Sequence, residues 1–268
     1  MFRNAFSFAV CAAAFASFGA NAADAENADN GLWSQADQYY GAAEMNAARR
    51  TLLHESGAQT SWFLQADRLE YRSNEGDPLL LWDAQGWYGT DAHKLWIKTE
   101  GEYDFNGGAF EAAEVQALYS KPISSYFDLQ AGVRHDFAPG DDRTFGVVGF
   151  QGLAPYLFEI DAALFVSGEG DISARIEAEY ELLLTQRLIL QPRTELNFAV
   201  QDVAEYGVGS GLSTAEIGAR LRYEIKREFA PYIGVSWERS VGETADFARA
   251  DGEDPSSVSF VAGLRLWF

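Results

Sequence analysis

The chain has 268 residues, 40 of them acidic and 20 basic, giving a formal net charge of −20, and a single cysteine. That balance excludes a nucleic-acid binder, because a phosphate backbone is held by clusters of Lys and Arg, and here these are outnumbered and dispersed. A lone thiol, Cys11, likewise excludes an internal disulfide or a zinc site built from several cysteines.

Residues 1–22 read as a secretory signal. Arg3 precedes an apolar stretch from Ala5 to Phe18, and Ala20-Asn21-Ala22 fits a small-x-small cleavage site. The apolar run falls short of the roughly 20 residues that a spanning helix needs. Cleavage removes Arg3, Cys11 and no acidic residue, so the expected mature chain carries −21 and has no thiol. Residues 23–58 read as a flexible leader, rich in Ala, Asn, Asp and Glu, followed by one short helix. Ser34, with Asp37 three residues on, is placed to cap that helix, which is predicted to run to about His54, with Gly57 as its stop. Tyr40, Ala43 and Ala47 form a modest apolar stripe at helical spacing.

From 59 to 268 the helical period gives way to segments of about ten residues that alternate apolar with polar. The clearest is 172–182, where Ile172, Ala174, Ile176, Ala178, Tyr180 and Leu182 oppose Ser173, Arg175, Glu177, Glu179 and Glu181. In 187–199 the pattern is weaker, because Gln191 to Glu195 are polar or proline; 213–225 again sets Ile217, Ala219 and Leu221 against Glu216, Arg220 and Arg222. Alternation alone also suits a soluble sandwich. Three further signals favour a membrane barrel. Aromatics such as Trp62, Tyr71, Trp82, Tyr88, Tyr119, Tyr126, Phe137, Tyr156, Tyr223 and Trp237 recur near strand ends, as interfacial girdles do. Strands are predicted at 61–72, 80–90, 94–103, 110–120, 126–137, 143–152, 156–166, 172–182, 187–199, 213–225, 230–240 and 257–268, an even number. Every second connection is short, while the opposite set holds the two longest loops, 200–212 and 241–256. Finally, the chain closes on Arg265-Leu266-Trp267-Phe268, an alternating strand with a terminal aromatic. The expectation is an all-β fold: an antiparallel transmembrane β-barrel of about twelve strands with a short N-terminal periplasmic helix, a monomer by fold type bounded by outer-membrane lipid.

The charged residues of the alternating segments are then candidates for the lumen face: Arg68, Glu70, Arg72, Asp83, Lys98, Glu100, Glu114, Arg134, Asp136, Glu159, Asp161, Arg175, Glu177, Arg193, Glu195, Arg220, Arg222 and Glu224. Arg and carboxylate in near balance predict a ladder of mutual neutralisation, and any carboxylate left over attracts cations. Candidate metal ligands are Met45, His54, His93 and His135, which lie far apart in sequence; a lone imidazole makes no site unless others converge on it. His135 falls in the apolar set of its strand and reads as an interfacial residue. Enzyme readings lack support. A barrel phospholipase needs Ser and His side by side on the lipid face, and no such constellation is found. Gly207-Val208-Gly209-Ser210-Gly211 is glycine-rich but has no helix predicted after it, so it fails as a phosphate loop.

Several segments resemble the copper resistance protein B family. They include Asp67-Arg68-Leu69-Glu70-Tyr71-Arg72, Trp82-Asp83-Ala84-Gln85-Gly86-Trp87, Gln151-Gly152-Leu153-Ala154-Pro155-Tyr156, Leu184-Thr185-Gln186-Arg187-Leu188, Arg227-Glu228-Phe229-Ala230-Pro231-Tyr232 and the closing Trp267-Phe268. The resemblance runs in order through the barrel. It implies a Gram-negative outer-membrane protein of copper homeostasis, which binds or exports copper ions non-catalytically beside periplasmic copper-resistance or efflux components. Many family members carry a Met- and His-rich run before the barrel, whereas here that region holds only Met45 and His54. This departure shifts the expected role from the leader towards transport, a lumen site or partner docking. A general small-solute porin, or a structural barrel without metal selectivity, is the competing reading.

Overall fold

The computed structural model describes residues 36–37, 39–52, 54–55, 59–138, 140 and 142–268. The expected signal, the leader up to residue 35, Ser34 and Gly57 lie outside the described residues. The chain divides into two units, the second beginning at Gly57. In the first, helix α1 spans Ala42–Leu52. It starts later than the Ser34 cap predicted. Residues 39–41 form a turn and bend, and Gly41, a poor helix former, stands directly before the first helical residue. Its carbonyl accepts the Met45 amide at 3.0 Å. No residue of α1 is buried, and Tyr40 of the expected stripe is exposed.

The second unit is a closed antiparallel sheet. Its segments are β1 Ser61–Arg72, β2 Leu79–Gly89, β3 Lys94–Asp104, β4 Ala109–Pro122, β5 Phe127–Ala138, β6 Arg143–Ala154, β7 Phe158–Ser167, β8 Ile172–Tyr180, β9 Leu182–Leu183, β10 Leu188–Ala199, β11 Gly211–Tyr223, β12 Phe229–Ser240 and β13 Ser256–Trp267. β8 and β9 both pair with β10 and are two parts of one strand interrupted at Glu181, so the thirteen segments make twelve strands. Each strand pairs with its chain neighbour, and β13 returns to β1, from Gln65↔Trp267 to Arg72↔Val261. The last residue completes this seam: the Phe268 amide donates to the Leu64 carbonyl at 2.8 Å, and the Leu64 amide donates back at 3.1 Å. Closure leaves no free edge, which is what a bilayer demands of backbone polar groups.

The pleat sends alternate residues outward, where Leu64, Ile97, Val133, Val148, Leu164, Ile217, Ile233 and Phe260 form an exposed apolar belt. Aromatics gather where the belt meets the strand ends. At the long-loop end Trp82 meets Phe110 edge to face at 5.9 Å, and Tyr103 meets Phe110 at 5.3 Å. Within 187–199 the weak alternation hides a regular strand. β10 keeps one parity from Leu188 to Asn197 in its pairing with β11, and Pro192, which has no amide hydrogen, sits in the exposed set opposite Ala219. The loop predicted at 241–256 contains a second helix, α2 Gly242–Asp251, which buries Thr244 and Ala245 and ends at Gly252 in the left-handed region, φ 89°. Thr244 Oγ1 accepts the Gly209 amide at 2.8 Å, tying this helix to the β10–β11 loop. In that loop, Ser210 donates to Asp202 and holds its carboxyl below the usual range, while the hydrogen-bonded Asp202 pushes Glu243 of α2 up.

Trp82 lies flat over Gly101, its ladder partner: a Cβ added at Gly101 would stand 2.2 Å from the Trp82 ring and 2.6 Å from the Ala112 carbonyl oxygen. Gly101→Ala is expected to cost about 1–3 kcal/mol by overpacking. Gly146→Ala, where an added Cβ would stand 3.9 Å from the Val166 carbonyl oxygen, is the near-neutral control. Urea titration of the protein folded into lipid vesicles, followed by tryptophan fluorescence, compares the two; equal stability of both variants would refute the packing role assigned to Gly101.

Candidate lumen site

Inward-facing side chains divide the lumen into two walls. Trp96, Leu118, Phe145, Val147 and Phe165, from β3, β4, β6 and β7, form a buried apolar cluster with Trp87 and Ala163 packed against it. The facing wall, drawn largely from β1, β8, β10, β11 and β13, is ionic. A β-bulge in β1 sets up much of it. Ala66 pairs with Ala84 but Arg68 with Asp83, so Asp67 is an extra residue. The inserted residue lets one strand turn Phe63, Gln65 and Asp67 inward on odd positions and Arg68, Glu70 and Arg72 inward on even ones.

Glu70 is fully buried and accepts from Arg72 Nε at 2.8 Å, from Arg220 at 3.0 and 2.9 Å, and from the Tyr232 hydroxyl at 3.1 Å. Arg72 continues to Glu216 at 3.0 Å, which also accepts from Ser236 at 2.6 Å. Arg68 bonds Asp83 at 3.1 Å and Glu100 at 2.6 Å. From the other side of the barrel, Arg175 of β8 reaches Glu100 of β3 at 2.8 Å and Glu114 of β4 at 3.0 Å, so these ion pairs cross the lumen. Arg134 joins Glu114 to Asp136 and lies 4.7 Å from the Phe165 ring, linking the ionic chain to the apolar wall. Arg193 ties Glu177 to Glu195, Lys98 pairs with Asp161, and Arg265 joins Asp67 at 2.8 Å to Glu181 at 2.6 Å.

Towards the short-turn end these walls enclose a cavity of about 570 Å³, lined by nine carboxylates, among them Asp67, Asp83, Glu159 and Glu179, and by four cationic side chains, Lys98, Arg175, Arg193 and Arg265. Glu159 makes no ion pair within 4 Å and no hydrogen bond among the described residues. Glu179 Oε1 is buried without a hydrogen-bond partner.

The family model for the copper resistance protein B precursor matches residues 60–268, the barrel just described. The chain belongs to the copper resistance protein B family. It is 48% identical over 216 residues to a copper resistance protein B homolog from Pseudomonas syringae pv. tomato, and 46% identical over the same length to copper resistance protein B from Escherichia coli; each match covers 81% of this chain and 72% of the relative. A solved NanC porin has a similar fold, with a TM-score of 0.50 at 14% identity, covering 77% of this chain and 99% of that one. The family and the closed barrel together make this an outer-membrane protein with a role in copper resistance.

In this family member most of the charged strand residues named from the sequence are paired with one another as a neutralising ladder. Glu224 sits just beyond β11, 3.8 Å from Arg222. Of the candidate metal ligands, His93 and His135 lie at opposite ends of the barrel. His93, in the β2–β3 turn, bonds the Tyr119 hydroxyl, whereas His135, near the opposite end, has its Nδ1 2.8 Å from Thr144 Oγ1. Met45 and His54 belong to the first unit. Among the described residues, no group of three or more His, Cys, Asp or Glu is arranged to hold a metal ion. Sequence reasoning missed Asp67, Glu181, Glu216, Tyr232 and Arg265 as lumen residues. Glu181 and Glu216 sat in the alternating polar sets, but Asp67 was hidden by the bulge, which no residue pattern announces.

Glu70 gives the ionic core its test. Glu70→Ala leaves Arg72 and Arg220 without their shared buried partner, and is expected to cost about 3–5 kcal/mol. Urea unfolding in vesicles reads the loss; a cost below that of a surface pair such as Arg249–Asp246 would mean that the network contributes nothing to stability.

Proposed function

We propose that the barrel supports copper tolerance by attracting copper ions into the lumen cavity and holding them there, in exchange with the periplasm. The observation that carries this reading is the lining of that cavity, nine carboxylates against four cationic groups, in a chain of a copper resistance family. Low-dielectric walls with an excess of one charge raise the local concentration of the opposite ion. In outer-membrane barrels the short turns and both strand termini face the periplasm, so the cavity lies on that side, open to exchange with periplasmic copper-resistance or efflux components.

Chemistry narrows the cargo. Residues 59–268 contain neither Met nor Cys, and His93 and His135, the two imidazoles of the barrel, lie outside the cavity lining. Oxygen donors suit Cu(II) better than Cu(I), which prefers thiolate and thioether. The arginine pairs that cross the lumen favour retention over free diffusion of solutes. No catalytic step is part of this role.

Deletion of the gene, with growth followed in graded copper and in zinc as the control metal, tests the reading. Copper-selective sensitivity, restored by the intact gene, is the expected result. Equal sensitivity to both metals, together with free passage of sugars into liposomes carrying the purified protein, would overturn it in favour of a general porin.

A further inference from the structure

The register of β7 against β8 places Glu159 directly opposite Glu179, and Asp161 directly opposite Glu177 on the next inward rung. All four line the cavity. Side chains directly opposite in an antiparallel pair have Cβ atoms about 4.5–5.5 Å apart, and like charges there repel. The Asp161–Glu177 rung is compensated, since Lys98 bonds Asp161 and Arg193 bonds Glu177 at 2.6 Å. No cation bonds the Glu159–Glu179 rung directly, and Gln191 donates a side-chain hydrogen bond to Glu179. The nearby cation, Arg265, is engaged by Asp67 at 2.8 Å and by Glu181 at 2.6 Å. Glu181 also holds Arg222 at 2.6 Å. Locally, then, the four carboxylates Asp67, Glu159, Glu179 and Glu181 surround two guanidiniums, an excess of two negative charges. Glu179 Oε1, buried and without a donor, lies on the uncompensated rung. Trp96, which also lines the cavity and is only 9% exposed, leaves its indole N–H without an acceptor.

We infer that the Glu159–Glu179 rung is a binding site for one divalent cation that keeps part of its hydration shell. Two carboxylates supply the charge that matches the local excess, and coordinated water completes the ligand set, as two protein donors alone do not. This rests on the copper reading for the identity of the ion, but the site follows from the ladder register itself.

The test uses the purified full chain in detergent micelles, in a background with His54→Gln, His93→Gln and His135→Gln to remove imidazole binding, and with copper(II) sulfate as the probe. Thermal unfolding is measured with and without the metal for that parent and for Glu159→Gln/Glu179→Gln. Without metal, the double variant is expected to unfold at the same temperature as the parent or higher, because a repulsion has been removed. With copper, the parent's transition rises and the variant's does not. Equal rises in both would overturn the site while leaving copper binding elsewhere in the barrel intact. Earlier unfolding of the metal-free variant would show that the rung is not uncompensated and would equally overturn the inference. No rise in either would overturn the site, whereas the copper reading itself stands or falls on the growth experiment with the deletion strain.

Discussion

Closure of the sheet is the constraint from which the rest of the structure follows. A strand in a bilayer has no water to satisfy its amides and carbonyls, so β13 returns to β1 and the terminal Phe268 bonds back to Leu64. Once the sheet is closed, the pleat leaves only two places for a side chain. The outward set is largely apolar, and most of the charge in the strands is confined to a lumen narrow enough for side chains from opposite walls to meet. Arg175 of β8 touching Glu100 of β3 is the direct expression of that narrowness.

Confinement turns a polar face into an electrostatic problem. Taking an ion pair out of water costs more than an exposed pair returns, unless geometry and further hydrogen bonds compensate. The lumen meets this with arginine rather than lysine at nearly every interior position. Its planar fork serves two carboxylates at once, as Arg68, Arg72, Arg175 and Arg193 do. Glu70 shows the completed arrangement, with two guanidiniums and a phenol on one carboxylate. Part of the remaining interior space is filled by the Trp96–Leu118–Phe165 cluster, and Arg134 stacked on Phe165 joins the two halves.

How much of this was legible in the chain depends on whether a feature is local or relational. The twelve strands were legible because period-two alternation is written residue by residue, and even β10 kept its parity through Pro192. Many of the paired charges in the strands were legible for the same reason. Helix α2 was not, since its Glu243, Ala245 and Arg249 favour a helix without an apolar stripe to mark it, and only Gly252 at its end left a signal. The start of α1 was misplaced because a capping pattern at Ser34 carries no information about Gly41 breaking the helix after it. Asp67 and the Glu159–Glu179 rung were invisible for a deeper reason. Which residues oppose one another is fixed by turn length and bulges, and a one-residue change in register exchanges every pair.

That dependence on register also explains how a chain of net charge −20 discriminates within its own lumen. Overall acidity draws cations to the protein without choosing a place for them. Choice arises where the ladder brings acids together and the arginines are already engaged elsewhere. Along β7 and β8 two successive rungs each oppose two acids, yet Lys98 and Arg193 bond one and no cation bonds the other directly. A mobile cation entering the cavity competes with Lys98 and Arg193 at the first rung and with no directly bonded cation at the second. Absence of Met and Cys from the barrel removes the soft donors that would favour Cu(I), so the selectivity left to this lumen is that of charge, geometry and oxygen ligation.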